Sequence, residues 1–144
     1  MAALVDTNVL VYRYDPRFPE KQRIATDLLR TGIENDSVLL SHQTIVEFVA
    51  AVTRPLRPHP PLLSPADARR EAEELLVQFE VLYPDEELIR IAVRGSAAYG
   101  LGWFDAHMWA YAERFGVREL LSEDFENGRL YGTVQAVNPF WRAS

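Results

Sequence analysis

Apolar residues along this chain fall into short unbroken runs that alternate with longer stripes at helical spacing. Ala3-Leu4-Val5 is too short for a helix and reads as a buried strand. Three polar residues, Asp6-Thr7-Asn8, interrupt it, and Val9-Leu10-Val11-Tyr12 resumes at once as the first turn of a helix or its lead-in. Asp15-Pro16 and Phe18-Pro19 mark a loop. From Glu20 to about Ile33, Ile24, Leu28 and Leu29 recur on one face, with Gly32 near the end, which predicts an amphipathic helix. Val38-Leu39-Leu40 is a second strand. Ser41 is a natural N-cap for a helix reaching about Thr53, with Ile45, Phe48, Val49 and Val52 in its stripe.

The prolines at 55, 58, 60 and 61 remove backbone donors and fix φ, so this stretch is a stiff surface loop. Ser64-Pro65 restarts a helix to about Phe79. Val81-Leu82-Tyr83-Pro84 is either a short strand or an extended connector. Helices follow from Asp85 to Tyr99 and from Phe104 to Phe115, separated by Gly100-Leu101-Gly102 and stopped by Gly116. Glu119-Leu120-Leu121-Ser122 and Val134-Gln135-Ala136-Val137 read as further strands. No internal repeat or low-complexity tract interrupts this order.

Strands alternating with helices predict an α/β fold, a three-layer sandwich around a mostly parallel central sheet. The 144 residues suit one domain spanning 1–144, enough to bury roughly two-thirds of the unfolded chain's surface. A composition 48% hydrophobic and 25% charged is ordinary for a globular chain. The absence of cysteine excludes disulfides, thiolate metal sites and a cysteine nucleophile. No apolar run approaches the ~20 residues of a membrane span, and Asp6 interrupts the N-terminal segment too early for a secretory signal. The expectation is a cytoplasmic protein with no membrane partner. A formal charge of −6 argues against a protein that coats nucleic acid by bulk charge. Of the 15 basic residues only Lys21 is lysine. Arginine-rich usage either serves phosphate recognition or reflects genomic base composition.

Ligands of such sheets sit beyond the carboxyl ends of strands, which draws attention to Asp6 after the first strand and Asp124 just past Leu120-Leu121. Glu47 lies in the apolar helix stretch Thr44-Ile45-Val46-Glu47-Phe48-Val49, and Asp105 near the start of Phe104-Asp105-Ala106-His107-Met108-Trp109. Each has a plain alternative: Asp6 and Asp105 as helix caps, Glu47 on a solvated face, Asp124 in a turn. Jointly they converge on one sheet edge, where four carboxylates without counter-charge repel one another and raise each other's pKa. A cation relieves that repulsion. With no cysteine and three histidines lacking ligand spacing, all-oxygen ligation favours Mg²⁺, with Mn²⁺ as substitute. Mg²⁺ held by carboxylates and water beside a phosphate suits phosphodiester hydrolysis.

The ordered set resembles the PIN-domain family. It comprises Asp-Thr-Asn after the first strand, a glutamate in the third helix, Phe-Asp-Ala opening a later helix, Leu-Leu-Ser-Glu-Asp-Phe after a strand, and the ending Val-Asn-Pro-Phe. Within the family it most resembles the VapC ribonuclease toxins of toxin–antitoxin pairs. The resemblance covers nearly the whole chain and rests on the set, since no single motif is specific. It implies a Mg²⁺-dependent endoribonuclease whose metal site is Asp6, Glu47, Asp105 and Asp124, with Asp6 and Asp105 the most direct ligands. It further implies that Thr7 and Ser122 orient acids or bridge through water and that Asn8 supports the turn. Serine stands at 122 where the family often has threonine, and the hydroxyl is kept. Glu123 competes with Asp124 for assignment, and a Ser-x-Asp reading selects Asp124. Implied partners are RNA, a small antitoxin covering the site, and a second copy in a homodimer. Arg13, Arg17, Arg54, Arg57 and Arg129 are candidate substrate contacts by position.

Rival readings are weaker. A haloacid-dehalogenase-type phosphatase wants Asp-x-Asp at the first strand, where Asn8 lacks the second carboxylate. A response-regulator receiver wants a lysine after a late strand, and the one lysine lies early. A non-catalytic PIN-like module that binds RNA or protein remains as the alternative from another class, separated from a nuclease by metal-dependent cleavage of single-stranded RNA.

Overall fold

A computed structural model describes residues 2–142. Strand β1 (Ala3–Val5) is buried along its whole length and lies inside a six-stranded sheet whose order is β3 (Glu80–Leu82), β2 (Val38–Ser41), β1, β4 (Glu119–Leu121), β6 (Val134–Val137) and β5 (Leu130–Tyr131). Its parallel neighbours are β2 (Val38–Ser41) and β4 (Glu119–Leu121), with Leu4 in register with both Leu39 and Leu120. Both faces of these strands are covered, which is why they read as continuous apolar runs. Successive side chains serve opposite layers. Leu4 and Leu120 pack with Leu88, Ala92, Met108 and Trp109, whereas Val5 and Leu40 pack with Val9, Leu29, Phe48 and Val52. Two apolar cores therefore flank one sheet, and the expected α/β sandwich is the observed fold.

On the second face lie α1 (Thr7–Tyr12), α2 (Pro19–Asn35), α3 (His42–Val52) and α4 (Pro65–Gln78); on the first lie α5 (Glu86–Tyr99) and α6 (Trp103–Phe115). The caps follow from sequence: Ser41 Oγ accepts from Thr44 N at 3.0 Å and Ser64 Oγ from Asp67 N at 3.1 Å. The stretch around Val81 is strand β3 (Glu80–Leu82), parallel to β2, which settles the strand-or-connector alternative. One element was not anticipated. Strand β5 (Leu130–Tyr131) pairs antiparallel with β6 (Val134–Val137) through a two-residue turn at Gly132-Thr133. Gly132 has φ +64°, as the first residue of such a turn favours. Two residues are too few to show periodicity.

Helices α5 and α6 approach closely at Gly95, where an added Cβ would fall on the Trp109 ring. Trp109 is further fixed by donating Nε1–H to the Tyr131 carbonyl at 2.9 Å. Gly95→Ala is therefore expected to destabilise the protein by roughly 1–3 kcal/mol through overpacking. Urea denaturation measures this, and wild-type stability in the variant would refute the close-approach argument.

Strand β1 is the point where the sheet grows in two directions, towards β2 on one side and β4 on the other. A crevice outside the carboxyl ends of two such strands is where open α/β sheets bind ligands. Among the described residues no helix is long and apolar enough to cross a membrane.

Candidate active site

The crevice is built from the residues that end β1 and β4. Asp6 N donates to the Leu121 carbonyl at 2.9 Å, so the pairing of the two strands continues into the first residue past β1. The Asp6 carboxylate then does two things. Oδ1 accepts from Thr7 N at 2.7 Å and caps α1; Oδ2 accepts from Ser122 Oγ at 2.6 Å. Capping and a place in the carboxylate group are thus compatible at Asp6.

Ser122, fully buried just after β4, is the hub. Its oxygen accepts from Asp124 N at 3.0 Å and from Asn8 Nδ2 at 3.3 Å, and Asn8 Nδ2 also donates to Asp124 Oδ2 at 3.0 Å. With two donors at the oxygen, the serine proton is committed to Asp6. Asn8 Oδ1 is buried with no hydrogen-bond partner.

Asp105 enters from the opposite layer, in the first turn of α6. The cap of α6 is Gly102, so Asp105 is free of the capping role considered for it. One carboxylate oxygen from each of Asp6, Asp105 and Asp124 lies within 4.8 Å of the others. Glu47 is not in this group. It stands on α3, accepting from Thr7 Oγ1 at 2.7 Å and from Gln43 Nε2 at 3.2 Å, and Gln43 also reaches the Phe104 carbonyl at 2.9 Å. The arrangement links α1, α3 and the start of α6. Glu123, beside Asp124 in sequence, turns away and is engaged by Lys21 Nζ at 3.0 Å and by the Tyr12 hydroxyl.

Charge in the crevice is uncompensated. Among the described residues no lysine or arginine pairs with Asp6, Glu47, Asp105 or Asp124. Burial pushes the Asp6 carboxyl up to about 7; the Ser122 and Thr7 hydrogen bonds oppose this, and Asp124 and Asp105 add to it. Asp105 is also raised, first by desolvation, then by Asp124 and Glu47. Three carboxylates that share a small volume, Asp6 buried, Asp105 half-buried and Asp124 exposed, with no cationic side chain paired to them among the described residues, suit a divalent cation bound through oxygen. Asp6, Asp105 and Asp124 are the residues placed to hold it.

Sequence reasoning named Thr7, Asn8 and Ser122 but missed Gln43 and Lys21, which hold Glu47 and Glu123. Gln43 precedes Glu47 by one helical turn, a spacing at which side chains meet, and that signal was available. The contact of Lys21 with Glu123 spans 102 positions and has no local signature.

A family model described as PIN domain matches residues 3–131. No curated protein matches the chain by sequence. Several solved structures share the fold. VapBC2 from Rickettsia felis, bound to a DNA fragment from its promoter, is 12% identical with a TM-score of 0.67, covering 94% of this chain and 97% of its own. VapC20 from Mycobacterium tuberculosis, described as a Sarcin-Ricin loop cleaving toxin, is 14% identical with a TM-score of 0.64, covering 85% and 90%. FitAB bound to an IR36 DNA fragment is 21% identical with a TM-score of 0.66, covering 96% and 95%.

Proposed function

The chain belongs to the PIN domain family, and on that premise we propose that it is a Mg²⁺-dependent endoribonuclease, the toxin of a VapBC-type toxin–antitoxin pair. The observation that carries this reading is the group of three carboxylates, Asp6, Asp105 and Asp124, at the β1–β4 crevice, with no lysine or arginine paired to them among the described residues. Solved relatives named as VapBC and FitAB assemblies support an antitoxin partner, and one named as a Sarcin-Ricin loop cleaving toxin supports RNA as substrate. A cytoplasmic setting, a homodimer and a single nuclease domain over residues 1–144 belong to the same proposal.

A divalent metal, when bound, supplies Lewis acidity at a phosphodiester oxygen and favours deprotonation of water. The chain's own residues do the rest. Asp6, Asp105 and Asp124 hold the ion. Ser122 fixes the Asp6 carboxylate and, through the Asp124 amide, the course of the loop past β4. Asn8 holds the Asp124 carboxylate, and Thr7 holds Glu47. Glu47 faces the site from α3 and is the acid best placed to serve a second role, as a further metal ligand through water or as a proton acceptor.

The direct test is cleavage of single-stranded RNA with Mg²⁺ or Mn²⁺ against EDTA, beside Asp105→Asn. Cleavage is expected only with metal and only in the wild type; cleavage in EDTA, or none with either metal, overturns the reading. Saturation at a hundredfold over Kd adds about 2.7 kcal/mol to stability, a rise in Tm of roughly 5–10 °C for a chain of this size. Glu47→Gln keeps an oxygen for the Thr7 hydroxyl but removes a charge facing Asp105. It is expected to lower cleavage at least tenfold with the far-UV circular dichroism unchanged. Unfolding of that variant would return Glu47 to a structural role.

A further inference from the structure

Next to the carboxylates lies a cleft of about 330 Å³ whose walls include Thr7, Asn8, Tyr12, Arg17, Phe18 and Ala51. Thr7 and Asn8 hydrogen-bond Glu47 and Asp124, so the cleft is continuous with the acidic crevice. Its far wall is unusual for a surface loop. Asp15 is almost fully buried and accepts three hydrogen bonds, from Arg17 N at 3.1 Å, Nε at 2.9 Å and Nη2 at 2.8 Å. A carboxylate buried to this degree needs compensating donors, and the Arg17 guanidinium supplies two of them. The two guanidinium contacts fix the orientation of a side chain that remains 47% exposed. The Nη1 edge of Arg17 makes no hydrogen bond among the described residues. The guanidinium sits 5.4 Å from the centroid of the Phe18 ring, which is itself 43% exposed and braced edge-on by Tyr12 at 5.6 Å.

A fixed cationic fork beside a braced, exposed aromatic ring matches one nucleotide of a single strand: phosphate on the fork, base on the ring. We propose that this cleft is a subsite for a nucleotide flanking the scissile phosphate, with Arg17 contacting a backbone phosphate and Phe18 stacking a base. The proposal rests on the nuclease reading and adds to it where the substrate lies.

The test is fluorescence anisotropy with a labelled random-sequence 12-nucleotide single-stranded RNA in EDTA, over a salt series, followed by cleavage kinetics in Mg²⁺. Phe18→Ala is expected to weaken binding by roughly five- to a hundredfold, the effect of losing one base stack. Arg17→Gln is expected to flatten the slope of log K against log salt by about 0.7, the value of one single-strand phosphate. Because Arg17→Gln leaves the Asp15 charge buried, the double variant Asp15→Asn/Arg17→Gln, which keeps a neutral hydrogen-bonded pair, should show the same flattening with wild-type Tm. In Mg²⁺ all three should raise KM more than they lower kcat. A wild type that cuts RNA while these variants bind with unchanged affinity and slope removes the subsite and leaves the nuclease. A wild type that neither binds nor cuts removes both.

Discussion

Asp6→Asn is expected to abolish RNA cleavage and at the same time to stabilise the metal-free protein above pH 7. Both effects come from one buried carboxylate. Burial raises Asp6 from 3.8 to about 7, with Asp124 and Asp105 adding to the rise. The folded state therefore binds the proton more tightly than the unfolded state. Its contribution is fully favourable below the unfolded value near 4 and is lost as pH rises through about 7. At pH 8 the wild type bears the full cost of an ionised, desolvated carboxylate, at most roughly 4 kcal/mol at ~1.4 kcal/mol per pH unit. Asparagine removes that charge. It keeps the oxygen that accepts from Thr7 N, so the cap of α1 survives. Its amide then meets the Ser122 oxygen, whose two acceptor positions already serve Asp124 N and Asn8 Nδ2, and this mismatch returns about 1 kcal/mol. The net gain is a few kcal/mol in EDTA at pH 8, shrinking towards pH 4, with a smaller Tm rise on adding Mg²⁺ than in the wild type. Urea titrations at several pH values and a cleavage assay check the two halves. If Asp6 only caps α1, asparagine caps about as well and cleavage continues; near wild-type cleavage by the variant would sink the proposed mechanism.

The same residue shows where sequence reading reaches its limit. Asp6 as cap and Asp6 in an acid cluster stand as alternatives in the sequence, because a cap uses one oxygen and sequence does not tell where the other points. The structure has Oδ1 on the cap and Oδ2 on Ser122. Strands β1, β2 and β4 were legible since burial on both faces leaves an unbroken apolar run, and the caps at Ser41 and Ser64 since N-cap chemistry is local. Strand β5 was not legible, because two residues carry no period and its pairing depends on Gly132. The order of strands was not legible either. That β1 lies between β2 and β4, and so brings Asp6 beside Ser122, is a contact across 116 positions. Glu47 illustrates a third kind of limit. Its presence in an apolar helix marks it as unusual, but its place, outside the close group and tied to Thr7, depends on the packing of α1 against α3.

Ser122→Ala is the second substitution with a large expected effect, although Ser122 carries no charge. The hydroxyl donates to Asp6 and accepts from Asp124 N and Asn8 Nδ2, so its loss leaves the Asp124 amide without its acceptor and Asn8 Nδ2 with its bond to Asp124 alone. Leaving such a group unsatisfied costs about 1–3 kcal/mol of stability. The loop past β4 then loses the bond that fixes Asp124, and metal affinity is expected to fall roughly ten- to a hundredfold, as for other residues that orient ligands. The pH dependence moves as well, and its sign follows from the hydrogen bond. Donation from Ser122 favours the ionised form of Asp6 and lowers its pKa. Without it the carboxyl titrates still higher, and the proton competes with the metal over a wider range. Calorimetric Mn²⁺ titrations between about pH 6 and pH 9 should show the variant's affinity recovering towards the wild type as pH rises. Cleavage should return in part at high metal concentration, since the carboxylates themselves remain. A loss of affinity that is the same at every pH would mean that Ser122 acts only through Asp124, and wild-type affinity throughout would remove it from the site.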